Sequence, residues 1–114
     1  MLAKKNRLRK KKEFNFIYKK GTPQYTKNLT VYVLKTKNSF CKVGFSVNNK
    51  VGNSVVRHKI KRRLSEIIKS KLFEMKLNNY IFVARKGSEE LDFDALKEQV
   101  DFLLKKADLI ESKN

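Results

Sequence analysis

The spacing of apolar residues changes several times along the chain, and each change marks an element. Phe14, Ile17 and Tyr18 recur at i, i+3 and i+4, which predicts a short helix over about 11–20, stopped by Gly21 with Pro23 beyond it. Residues 29–36 (LTVYVLKT) alternate and are β-branched-rich, so they read as a strand. Lys37-Asn38-Ser39 makes a polar turn, and 40–48 (FCKVGFSVN) reads as a second strand with Cys41, Val43, Phe45 and Val47 on one face. Past Gly52 the period becomes helical, with Val56, Ile60, Leu64, Ile67 and Ile68 on one stripe over about 54–72. Asn78-Asn79 precede a strand at 80–85 (YIFVAR), closed by Gly87. A last helix, about 93–107, presents Phe93, Leu96, Val100, Leu103, Leu104 and Ala107 as its core face. Asp92 is placed to cap it, with Leu91 and Leu96 as a hydrophobic staple.

The order helix, strands, helix, strand, helix predicts one α+β domain over 1–114 in which helices cover a single sheet. Residues 1–10 (MLAKKNRLRK) have little apolar period and are expected to form a flexible basic arm. No apolar run approaches the ~20 residues of a membrane span, and no apolar stretch follows the basic start as in a signal peptide. Cys41 is the sole cysteine, so no internal disulfide forms, which suits a reducing cytoplasm.

Charge alters this plain picture. The chain carries a net +17, and its distribution is uneven: residues 1–76 hold +19 and residues 77–114 hold −2. Such a segment repels itself and calls for a polyanion, since an ordinary solvated surface interleaves both signs. The acids from Glu89 to Asp108 fall on or beside the last helix, where they read as structural; Asp92 and Asp94 suit its N-terminal dipole. Phosphate, as nucleic acid, is the expected partner. A ribosomal protein on structured RNA has this size and charge too, whereas a membrane-surface helix would show Trp or large apolar tips.

The means for unaided catalysis are absent from this pattern. Clustered carboxylates, which a two-metal nuclease needs, are replaced in the basic region by Glu13, Glu66 and Glu74, far apart in sequence. His58 is the only histidine, Cys41 reads as a core residue, and the glycines at 21, 44, 52 and 87 are isolated. The chain is equipped to bind.

The densest signal is Lys50-Val51-Gly52-Asn53-Ser54-Val55-Val56-Arg57-His58-Lys59-Ile60-Lys61-Arg62-Arg63. Asn53 or Ser54 caps the helix, leaving amide groups that favour an anion. With Val56, Ile60 and Leu64 facing the core, Arg57 stacks over Lys61, His58 over Arg62 and Lys59 over Arg63. Like-charge i, i+4 pairs cost roughly 0.2–0.5 kcal/mol each, so a helix that keeps several of them is built to meet phosphates.

This run resembles the basic motif of the bacterial ribonuclease P protein family, roughly K-x-G-N-x-x-x-R-N-x-x-K-R, through Lys50, Gly52, Asn53, Arg57, Lys61 and Arg62. The resemblance extends to Arg7, Leu8, Lys10 and Phe14 ahead of it, to Gly44-Phe45-Ser46-Val47, to 80–85 and to the closing helix. One departure is Arg57-His58-Lys59 where the family has Arg-Asn-Arg; Lys59 keeps the charge but loses the bidentate fork.

The resemblance implies an α-β sandwich ordered αβββαβα with a left-handed βαβ crossover, against the usual hand. It implies the accessory subunit of an RNA enzyme, an endoribonuclease whose RNA subunit cleaves the 5′ leader from precursor tRNA with Mg²⁺ held mainly by that RNA. The implied partners are the catalytic RNA and precursor tRNA; neither membrane nor DNA is expected. By the same resemblance, Asn48, Lys50, Asn53, Arg57, His58, Lys59, Lys61 and Arg62 face the catalytic RNA. Phe14, Tyr18, Tyr32 and Ser46, with Arg57 and Lys61, border a cleft for the single-stranded leader. Aromatics beside cations suit such a groove. The resemblance assigns no metal ligand in the protein and no role to Phe16.

Overall fold

A computed structural model describes residues 2–37 and 39–107. Helix α1 (Lys11–Lys20) is followed by strands β1 (Thr22–Tyr25), β2 (Leu29–Leu34) and β3 (Lys42–Val47), helix α2 (Ser54–Lys69), strand β4 (Asn79–Ala84) and helix α3 (Phe93–Lys106). Short 3₁₀ turns occupy Lys4–Asn6, Asn49–Val51 and Ser88–Glu90. The order αβββαβα is therefore present. Asn38 of the predicted turn and Asp108 of the acidic stretch lie outside the described residues.

The four strands form one mixed sheet in the order β1-β2-β4-β3. β4 is antiparallel to β2 and parallel to β3, so α2 links two parallel neighbours. β2 (LTVYVL) and β4 (NYIFVA), each with four buried residues, take the two inner places, where both faces are covered. Period-2 alternation then assigns the faces. Tyr80, Phe82 and Ala84 join Leu29, Val31, Val33 and Val43 in the main core, beneath Ile60, Leu64, Ile67 and Ile68 of α2 and Leu96, Val100, Leu103 and Leu104 of α3. Ile81 on the opposite face meets Ile17 of α1 and Leu8, with Phe14, Tyr32, Leu34 and Val83 around them. Helices thus cover both faces of the sheet.

Local signals place the helix ends as expected. Asn53 Oδ1 accepts from the Val56 amide at 3.0 Å, and Asp92 Oδ1 accepts from the Ala95 amide at 2.8 Å. Gly21 follows α1, its amide donating to the Ile17 carbonyl at 2.7 Å. Gly87, three residues past the end of β4, has φ +104°, a left-handed turn that suits glycine. Cys41 is buried in the core as read from the sequence. Among the acids beyond residue 76, Asp101 pairs with Lys71 and Glu89 accepts from the Gly87 amide, both structural roles.

Four expectations need correction. Residues 2–10 are a packed segment where a flexible arm was predicted: Leu2 and Leu8 are buried, Asn6 Nδ2 donates to the Cys41 carbonyl at 2.8 Å, and the Leu8 amide donates to the Val43 carbonyl at 3.0 Å. Two apolar anchors among cations are enough to pin it along the β3 edge. Residues 22–25 form a strand the apolar pattern does not show, an edge position that tolerates Pro23. Helix α2 stops at Lys69, short of residue 72, where a turn over 70–74 takes over. Phe93 is 41% exposed, because it opens α3 and its side chain leans past the helix end, beyond the core.

Candidate nucleic-acid interface

Two groups of side chains flank β3. On the α1 side, register aligns Tyr32, Ile81 and Gly44 in one row across β2, β4 and β3. Ile17 packs over the middle of that row, which puts Phe14 and Tyr18 over its ends. The Phe14 ring lies on Gly44: a Cβ added there would come within 2.5 Å of its Cζ. The Tyr18 ring meets Tyr32 edge-on at 5.0 Å and lies 6.3 Å from Phe14. Tyr18 is exposed and Phe14 and Tyr32 are half-buried, so three linked rings border solvent. Ser46 shares the Gly44 face of β3, one pleat further on, opposite Val83.

On the other side, α2 leaves the end of β3 through 48–53. Asn48 Oδ1 accepts from the Lys50 amide at 2.8 Å, shaping this lead-in, and Arg57 Nη1 donates to Asn49 Oδ1 at 2.7 Å, tying the first turn of α2 back to it. Between Ser54 and Lys69 stand six Lys/Arg against one acid, Glu66. Lys50, His58, Lys59, Lys61 and Arg62 are exposed and Arg57 is half-buried.

The predicted residues divide three ways around α2. Arg57, His58 and Lys61 share a recess of about 200 Å³ with Val47 and Ser54. Lys61 also enters a second recess, about 240 Å³, with Phe14, Gly44, Arg7 and Arg9. Lys61 is thus the link between the motif helix and the aromatic side. Lys59 and Arg62 lie apart from these, in a groove toward the start of α3.

Arg7, Arg9 and Asn49 were missed by sequence reasoning as members of this surface. Leu8, an apolar residue between two arginines, was the available signal for the first two; Asn49 has no local one. Away from this surface, burial, followed by the nearby Cys41, pushes the Tyr80 phenol well above its usual range, and its hydroxyl donates to the Lys76 carbonyl. Among the described residues no three His, Cys, Asp or Glu side chains converge on a point. Among them, too, no helix is long and apolar enough to cross a membrane.

A basic α-β sandwich with a cationic helix beside an aromatic recess defines the class: a small protein shaped to meet a polyanion. A family model described as Ribonuclease P matches residues 2–108. The chain is 32% identical over 110 residues to a ribonuclease P protein component of Streptococcus equi subsp. zooepidemicus, covering 96% of this chain and 92% of that one. To a Clostridium botulinum protein of the same name it is 38% identical over 106 residues, covering 91% and 96%. Among solved structures, the RNase P protein of Staphylococcus aureus superposes with a TM-score of 0.88 at 29% identity, over 93% of this chain and 98% of that chain. The RNase P protein of Thermotoga maritima gives 0.81 at 27% identity over the same shares. This chain belongs to the ribonuclease P protein family. Membership makes it a protein subunit that partners a ribonuclease P RNA.

Proposed function

We propose that this chain assists endonucleolytic removal of the 5′ leader from precursor tRNA, in the cytoplasm, as the non-catalytic partner of an RNA that does the chemistry. Asn48, Lys50, Asn53, His58, Lys59 and Arg62, with Arg57 and Lys61, meet the catalytic RNA. Phe14, Tyr18, Tyr32 and Ser46 take the single-stranded leader, with Arg57 and Lys61 along its backbone.

The observation that carries this reading is the recess holding Phe14, Gly44 and Lys61 together. An aromatic face, Lys61 from the motif helix and Arg7 and Arg9 from the N-terminal segment share one opening, the combination that binds single strands without choosing sequence. Cations on both sides of β3 lower the repulsion between two RNAs brought side by side, which otherwise falls to metal ions. Mg²⁺ held mainly by the RNA would supply the Lewis-acid chemistry there.

Precursor-tRNA cleavage by the cognate RNA, with and without this protein across a Mg²⁺ series, tests the reading. The protein alone should leave the precursor intact, and adding it to the RNA should shift half-maximal cleavage to lower Mg²⁺. Specific cleavage by rigorously RNA-free protein, or an unchanged Mg²⁺ requirement, would overturn it.

A further inference from the structure

Phe93 has no role in the core or in the aromatic recess, yet its surroundings are specific. Together with Lys59, Arg62, Arg63, Ser65 and Glu66 it lines a groove of about 430 Å³ between α2 and the start of α3. Three cations face one acid there, and Glu66 stands one turn from both Arg62 and Arg63 on the same helix. The backbone that carries the ring is firmly placed. Arg63 Nη1 donates to the Leu91 carbonyl at 3.0 Å, Leu91 packs on the core, and Asp92 caps α3 through the Ala95 amide. An exposed aromatic face on an anchored backbone, beside exposed ammonium and guanidinium groups, matches a nucleotide, with its flat base and its phosphate. A second copy of a +17 chain would bring these cations against its own, which disfavours self-association here.

We propose that this groove is a nucleotide subsite, in which an unpaired base of the RNA subunit stacks on Phe93 while Lys59 and Arg62 hold the flanking phosphates. The subsite rests on the RNA-binding reading of α2 and extends it to α3, which the sequence motif does not include.

The chain contains no tryptophan, so Phe93→Trp creates a single emission reporter in the full-length protein. Titration with the ribonuclease P RNA should quench that emission. Phe102→Trp, on the same helix about 13.5 Å further along by helical rise, is 57% exposed and outside the groove, and should stay unquenched. Inorganic polyphosphate, which supplies charge without bases, should compete for the protein yet leave the Phe93→Trp reporter bright. Phe93→Ala should weaken RNA affinity roughly 5- to 150-fold, as loss of one stacked base does, with the salt slope unchanged and with Phe93→Tyr restoring affinity. Lys59→Met should instead lower the salt slope by about one.

An unquenched Phe93→Trp in saturated complex, equal quenching by polyphosphate, equal quenching of Phe102→Trp, or wild-type affinity in Phe93→Ala would each overturn the subsite. Those results leave the reading of α2 standing. That reading fails separately, if Lys50→Gln and Arg57→Gln bind the RNA as wild type does.

Discussion

Gly44→Ala tests whether the Phe14 ring is seated on the backbone of β3. An added Cβ would lie 2.5 Å from Phe14 Cζ and 2.8 Å from Cε2, with Leu8 Cβ at 3.2 Å beside it. Carbon atoms in contact prefer about 3.5–4.0 Å, so the ring must withdraw by about 1 Å or more. Leu8 limits the room on one side and Tyr18 stands on another, which makes the shift an overpacking event worth roughly 1–3 kcal/mol. Alanine also stiffens the unfolded chain, returning about 0.4–1 kcal/mol. A net loss of roughly 1–2 kcal/mol follows, or about 4–10 °C in melting temperature for a domain of this size.

A double-mutant cycle with Phe14→Ala isolates the contact. Once the ring is gone, Gly44→Ala meets only Leu8 and should be neutral or stabilising by up to about 1 kcal/mol. The sign of the Gly44→Ala effect therefore reverses between the two backgrounds, a coupling of roughly 1–3 kcal/mol. Urea unfolding of the four proteins measures it. Equal effects of Gly44→Ala with and without Phe14 would refute the seating of the ring and the recess built on it.

Two further outcomes can be measured, one at the interface and one in the core. Phe14→Ala or Tyr18→Ala should weaken holoenzyme binding of precursor tRNA about 5- to 150-fold more than that of mature tRNA, whereas Lys50→Ala or Arg62→Ala should weaken assembly with the RNA subunit and lower its salt slope by about one; filter binding checks both, and equal effects on both affinities would dismiss the two-surface arrangement. Tyr80, whose phenol is raised above the unfolded value of about 10 by burial and then by Cys41, holds its proton in the folded state where the unfolded chain releases it. Its contribution is whole below about pH 10 and is lost as pH climbs through the higher folded value, so Tyr80→Phe should flatten the alkaline fall in stability measured by urea unfolding; an unaltered pH profile would contradict this.

What could be read from the chain was what local chemistry decides. The stripes Ile60-Leu64-Ile67-Ile68 and Leu96-Val100-Leu103-Leu104 repeat within one window, and Asn53 and Asp92 cap by bonds spanning three residues. What escaped depends on distant partners. Leu2 and Leu8 are buried only because the β3 edge is there to receive them, and no period within ten residues announces it. Thr22–Tyr25 becomes a strand through its register with β2, from Thr22 opposite Val33 to Tyr25 opposite Thr30. β4 inserts between strands adjacent in sequence, a long-range pairing no spacing encodes. Phe93 has the right angle for the core face but lies past the point where the core ends.

The candidate site divides along the same line. The charge columns of α2 are local and stood out. Phe14 and Tyr18 have the spacing of core residues, and only the family resemblance directed them to a cleft. Arg7 and Arg9 were hidden by an unpredicted packed segment.

Both surfaces are consequences of one strand. Alternation along β3 sends Val43, Phe45 and Val47 under α2 and turns Gly44 and Ser46 toward α1. A slip of one residue would exchange the two sets and abolish core and recess together. The strand also ends where the lead-in to α2 begins, so the sheet and the hydrogen-bonded turn at 48–53 together set the spacing between cationic helix and aromatic rings. Its place at the edge of the sheet matters equally. Among the described residues only Arg7 and Leu8 pair beside it, at Val43, and cations there discourage another chain from adding as a strand. Beyond that point the edge is open, and Lys61 reaches the recess occupied by Phe14. In the interior of the sheet, β3 would have carried a neighbour on that side, and Lys61 and Phe14 would not meet.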